Sequence, residues 1–158
     1  MLAYPSSRPG SSVGWPRAVT PTSHGRGRGD GAICGPADDG RVALVAQDDI
    51  AAAVAMLREP TAHAGRTYDL TGPEELALAE VAAVLSAVSG RAVLYVPATV
   101  EEALASRAFY GAPDWQVEAW VSIYAAIVAG EMARVKAAVP DLTGHPARTL
   151  EQVLRARA

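Results

Sequence analysis

A chain of 158 residues, half of them hydrophobic and one fifth charged, has room for one domain with a true core. Its formal charge of −3 offers no positive excess for nucleic acid or anionic lipid, and charges interrupt every stretch approaching the roughly 18 apolar residues of a membrane span. The single cysteine, Cys34, excludes an internal disulfide and a Cys-based metal site and points to a reducing compartment, so the expected location is the cytoplasm.

In chain order, residues 1–30 come first, with Arg8, Arg17, Arg26 and Arg28 among Gly, Ser and Pro and no apolar period; they read as disordered or aberrant. They lack the apolar core of a secretory signal, and Pro and Gly are too frequent for the amphipathic helix of a transit peptide. The folded part is expected over 31–158. Arg41–Ala46 is a short β-branched apolar run that predicts a buried strand. A helix follows, capped by Asp48 or Asp49, with Ile50, Ala53, Val54 and Leu57 as its stripe and Pro60 as its stop. Thr67–Thr71 alternates and ends at Gly72-Pro73, which predicts a second strand. The stripe Val81, Val84, Leu85 and Val88, closed by Gly90 as a left-handed cap, predicts a helix. Arg91–Val96 is a third strand stopped by Pro97. Thr99 with Glu102 and Thr149 with Gln152 each have capping-box spacing. Between those two helices, Gly111–Asp114 breaks the chain and starts a longer helix with Val117, Trp120, Val121, Tyr124 and Val128 on one face. The pattern is α/β, with about five helices and three short strands.

Most chemistry-bearing residues have a bland explanation. Asp48 and Asp49 sit side by side where a cap and a solvated charge are ordinary, so a paired-carboxylate acid/base site is the weaker reading. His24, His63 and His145 are too dispersed for a ligand set, and no metal is predicted. Cys34 reads as an inert small hydrophobe. The basic N-terminal stretch has no interleaved aromatics, so no nucleic-acid partner is predicted. The exception is the aromatic group around the Gly111–Pro113 break, which includes Phe109. Tyr110 and Trp115 flank the break, where side chains can line a cleft for a flat substrate, and Trp120 and Tyr124 follow on the helix's apolar stripe, where a core role is the commoner one. Tyr110, Trp115, Trp120 and Tyr124 are the candidate substrate-binding residues; no catalytic residue stands out.

The run Gly35-Pro-Ala-Asp-Asp-Gly-Arg-Val-Ala-Leu-Val-Ala-Gln-Asp-Asp-Ile-Ala51 resembles the GPAGDGRVA…RDDIA segment of NmrA-like NAD(P)H-binding proteins, the atypical short-chain dehydrogenases/reductases that include quinone-oxidoreductase-like enzymes. Thr67-Tyr-Asp-Leu-Thr-Gly-Pro-Glu74 is similar to that family's YDLTGPE strand and turn. Leu142-Thr-Gly-His-Pro-Ala-Arg-Thr149 is similar to the LTGRPPRT lead-in to its last helix. The resemblance covers about residues 31–158 and implies the C-terminal, substrate-side lobe of a truncated Rossmann-type fold that uses NAD(P)H on a quinone-like or carbonyl substrate. A dinucleotide site needs a strand, a glycine-rich turn and a helix N-terminus. Gly25-Arg-Gly-Arg-Gly-Asp-Gly31 has the wrong glycine spacing and follows no predicted strand, so no cofactor is expected on this chain alone. No Tyr-x-x-x-Lys pair exists, since the sole lysine is Lys136 and residue 132 is Met132. Activity alone is therefore not expected. The alternatives are a non-enzymatic dinucleotide-sensing or ligand-binding regulator and a truncated or misframed gene product. An unpaired sheet edge is expected to favour a homodimer.

Overall fold

The computed structural model describes residues 31–58 and 60–157, except the side chains of Pro60 and Phe109. The expectations for residues 1–30, including Gly25–Asp30 and His24, lie outside them. The described part is mixed α/β. Strand β1, Gly31–Gly35, is followed by β2, Arg41–Val42, and helix α1, Gln47–Met56. A short turn α2, Pro60–His63, leads to β3, Leu76–Ala77, and α3, Leu78–Ser89. Then come β4, Val93–Pro97, and α4, Val100–Arg107, which tightens into a 3-10 turn over Ala108–Tyr110. Helices α5, Asp114–Val128, α6, Ala138–Thr143, and α7, Leu150–Arg155, complete the order.

β1 runs parallel to β4, with Gly31 opposite Val93 and Gly35 opposite Pro97. Parallel neighbours need a long crossover, and α3 lies within it, immediately before β4. Ser86 ties the two together: its hydroxyl accepts the Val93 N–H at 2.8 Å. Gly90 closes α3 at φ 66, the left-handed cap expected of it. The pair β2 and β3 is antiparallel, and Arg41 reinforces it by donating to Glu75 O and to the Glu80 carboxylate, both at 2.7 Å.

One core cluster joins buried Ala37, Val42 and Ile127, ringed by half-buried Leu44, Leu78, Tyr95 and Tyr124. On the strands and helices outside it, large apolar side chains stay in water, Leu94 at 65% and Trp115 at 69% exposure among them.

Five local expectations are corrected. The strand foreseen over 41–46 keeps its ladder only at Arg41–Val42; beyond that Ala43 donates to Met132 O and the chain runs on without strand pairing. Thr67–Thr71 carries the strand pattern but pairs with no strand among the described residues, while β1 and β3 form where no strand was foreseen. The cap of α1 is Ala46, without a side-chain hydrogen bond, because Asp49 is turned inward to another partner. Val54 and Val128 are exposed rather than on buried stripes, since nothing packs on those faces. Among the described residues there are seven α-helices rather than about five, because α2 and α6 are too short to carry a periodic signature.

Candidate functional site

In an open parallel sheet, ligands collect outside the carboxyl ends of the strands, where side chains from following helices converge. Here those ends are Cys34-Gly35 and Val96-Pro97, side by side in one register. Three side chains from three elements close over them. The Tyr95 hydroxyl donates to Gly35 O at 2.8 Å and accepts the Ala37 N–H at 3.2 Å, which pins the chain as it leaves β1. From α5, the Tyr124 hydroxyl reaches Cys34 O at 3.5 Å and accepts from Arg107 Nη2 at 3.1 Å. The Arg107 guanidinium stands 5.4 Å above the Tyr124 ring and is anchored by Ala103 O at 2.8 Å. A cation over an aromatic face with its donors engaged is held in place rather than waving in solvent. Residue 35 must be glycine, since a Cβ there would overlap the Tyr124 ring.

The turn after α4 brings the next pair in. Gly111, at φ 63, reverses the chain so that Tyr110 meets Trp120 edge-to-face, ring centres 6.0 Å apart at 82°. Trp120 and Tyr124 lie one helical turn apart on the same face of α5. Of the four expected site residues, Tyr110 and Trp120 thus form a pair, Tyr124 sits behind Trp120 on the strand ends, and Trp115 stands exposed on the first turn of α5. The sequence reading missed Tyr95 and Arg107. Tyr95 carried a faint signal as the aromatic of a β-branched strand; Arg107 carried none, because its partners are set by how α4 crosses α5.

A second feature was also missed. Asp49 is 1% exposed and accepts from the Arg148 backbone N–H at 2.8 Å and from its Nε at 2.9 Å, with Nη2 at 2.8 Å. Burial by itself pushes this carboxyl up, but the backbone and guanidinium hydrogen bonds and the charge of Arg148 outweigh it and hold its pKa below the ordinary aspartate value. The hydrogen bond from Asp49 in turn raises Arg148. This clasp joins α1 to the segment that leads into α7 and is structural. The two residues are 99 apart in sequence, so spacing could not have revealed them.

Two clefts open elsewhere. One, of about 750 Å³, lies between Val42–Val45, Tyr68–Thr71 and the 129–136 segment. The other, of about 530 Å³, lies among Pro73, Val135, Pro140 and Pro146. Among the described residues no group of His, Cys, Asp and Glu could hold a metal ion, and no helix is long and apolar enough to cross a membrane.

A dinucleotide pyrophosphate does not fit the described residues. It needs free N–H groups at a helix start with no competing negative charge. Helix α1 opens on Asp48 and Asp49, α3 on Glu80, α4 on Glu101 and Glu102, and α5 on Asp114. At α3 and α4 the carboxylate also folds back on the cap N–H, Glu80 to Ala77 and Glu102 to Thr99, both at 2.8 Å.

No protein-family model matches the chain. Comparison of folds aligns it with Rossmann-like NAD(P)-binding reductases. The NADPH-complexed quinone oxidoreductase of Escherichia coli superposes on 80% of the chain with a TM-score of 0.72 at 27% identity, and the Citrobacter sp. triphenylmethane reductase on 81% with 0.68 at 30%. In sequence, the NAD(P)H azoreductase of Xenophilus azovorans is 37% identical over 78% of the chain, and quinone oxidoreductase 2 of E. coli is 29% identical over 77%. Over these residues the chain is similar to NAD(P)H-dependent reductases, consistent with the NAD(P)H-binding, atypical short-chain dehydrogenase/reductase family. It spans 43% of the length of both curated relatives.

Proposed function

We propose that this chain is the substrate-side part of an NAD(P)H-dependent oxidoreductase for a flat quinone-like or carbonyl substrate, and that it does not turn over by itself. The observation that carries the reading is the Tyr110–Trp120 pair set beside the Arg107–Tyr124 stack at the carboxyl ends of β1 and β4. Aromatic edges and faces bind a flat conjugated ring through stacking, and a fixed guanidinium beside them favours electron-rich carbonyl oxygens. Trp115 supplies the outer rim. The relatives named for quinone and azo reduction support the same class of substrate. The dinucleotide supplies hydride in such reactions, and the helix starts described above give it no berth, so the described residues contribute substrate binding and orientation.

The test is calorimetric titration of the purified chain with menadione. Binding should weaken at least ten-fold in Trp120→Leu and in Tyr110→Ala, and by a smaller factor in Trp115→Leu. Undiminished binding in all three variants, or NADPH oxidation by the 158-residue chain alone, would sink the reading.

A further inference from the structure

The cleft of about 530 Å³ has a wall that is apolar in all but two places. Apart from Lys136 and His145, every lining residue is apolar or glycine, and Val135 with Pro73, Pro140 and Pro146 are the large ones. Proline fixes its own φ, so such a wall loses little freedom when a ligand settles against it. Val135 keeps 43% of its surface in water, an apolar area that a bound hydrocarbon would cover.

The two polar residues are set in place by their backbones. The Thr71 hydroxyl accepts the Lys136 N–H at 2.8 Å and donates to Lys136 O at 3.3 Å, which holds Lys136 against the Gly72-Pro73 side of the cleft. Those bonds use only its main chain. Among the described residues no acid or acceptor engages the Lys136 ammonium. Gly144 closes α6 at φ 75, and His145 follows on the wall. Its Nδ1 stands 3.2 Å from Pro146 O; a carbonyl only accepts, so Nδ1–H donates and Nε2 is the ring atom left for a ligand.

Among the described residues no carboxylate lines the cleft. Glu74, next to Pro73, accepts the Leu150 N–H at 3.2 Å, and Asp49, close enough to His145 for their charges to interact, is held by Arg148 at 2.8 Å. Asp141, beside Pro140, is exposed and lies off the lining. An apolar hollow with only bases on its wall suits a ligand that is apolar over most of its surface and carries one negative group.

We propose that this cleft binds an apolar monocarboxylate, its hydrocarbon part against Val135 and the three prolines and its carboxylate on the Lys136 ammonium, with the His145 ring as the second polar group. A neutral ligand would leave that ammonium unused, and a phosphate would bring a second charge against an apolar wall. The cleft shares no lining residue with the aromatic pair and the Arg107–Tyr124 stack, so the two sites stand or fall separately.

The test titrates the full chain with 2-naphthoate, and with 2-naphthamide as its uncharged isostere, by calorimetry and by amide chemical shifts. The acid should bind tighter than the amide by about five-fold or more, with shifts gathered at residues 135–137 and 144–147. Lys136→Met should bring the acid down to the amide, and Lys136→Arg should restore the preference. Val135→Ser should weaken both ligands alike, and Trp120→Leu should leave both unchanged. Should Lys136→Met unfold the chain, seen by circular dichroism, the comparison of acid with amide on the unaltered chain decides. Equal affinity for the two, a preference that survives Lys136→Met in a folded chain, or no binding of the acid at millimolar concentration overturns the proposal. Loss of naphthoate binding in Trp120→Leu would assign the ligand to the aromatic pair and overturn it too.

Discussion

Two positions show how single residues are fixed by what reaches them from afar. Gly35 ends β1 under the Tyr124 ring, and adding one methyl forces the ring or the strand to move. Gly35→Ala should cost about 2 kcal/mol by urea unfolding, and Tyr124→Ala in the same chain should recover part of that loss, because the obstacle is gone. Asp49 shows the electrostatic counterpart. Its folded pKa lies below its unfolded value, so its ion pair stabilises the fold fully above about pH 4 and loses that contribution as the pH falls through the folded pKa. Asp49→Asn should therefore lower the urea midpoint at pH 7 and flatten the fall in stability of the parent chain below pH 4. A steep acid transition unchanged by this substitution would assign the loss to other carboxylates. The sequence placed an acid here correctly and gave it the wrong task. A cap and a buried partner look alike until the residue 99 positions away is folded against it.

Among the elements, those whose signals are local came through. Thr99 accepts the Glu102 N–H at 3.1 Å, and Thr149 accepts the Gln152 N–H at 3.1 Å, each with the reciprocal bond back to the cap. Each threonine satisfies an otherwise orphaned donor, so Thr99→Ala and Thr149→Ala should each cost about 1 kcal/mol. The two effects should add in the double variant, measured by thermal unfolding, since the caps share no partner. Strands fared differently. Val93–Pro97 was legible nearly to the residue, yet Gly31–Gly35 was not, because two glycines in five residues weaken any propensity argument. Thr67–Thr71 had the better pattern and no ladder, for a strand is a relation between two segments and a pattern describes only one.

At the scale of the whole molecule, one core cluster of the described residues rests on Ala37, Val42 and Ile127 while Leu94, Val96, Val100 and Trp115 face water. A domain of this size buries about two thirds of its unfolded surface when complete, and open apolar faces reduce that share. The free chain should accordingly unfold with an m-value below that of an intact domain of equal length. Urea titration measures this. An m-value typical of 158 residues for the chain alone would mean that its core is already closed.

What the sequence by itself determined were the features that depend on neighbours within a turn or two: the capping boxes, the Gly90 stop, the helical stripes apart from Val54 and Val128, and the ordered motifs that carry the resemblance. It also named Tyr110, Trp120 and Tyr124 as aromatics near one break in the chain. Only the tertiary structure decided which of them meet, that Arg107 and Tyr95 join Tyr124 at the strand ends, that Asp49 holds Arg148, and that Thr67–Thr71 pairs with no strand among the described residues. The reason is physical: propensity and capping act through bonds to nearby backbone, whereas pairing, burial and the shift of a carboxyl's pKa depend on groups brought together from distant parts of the chain.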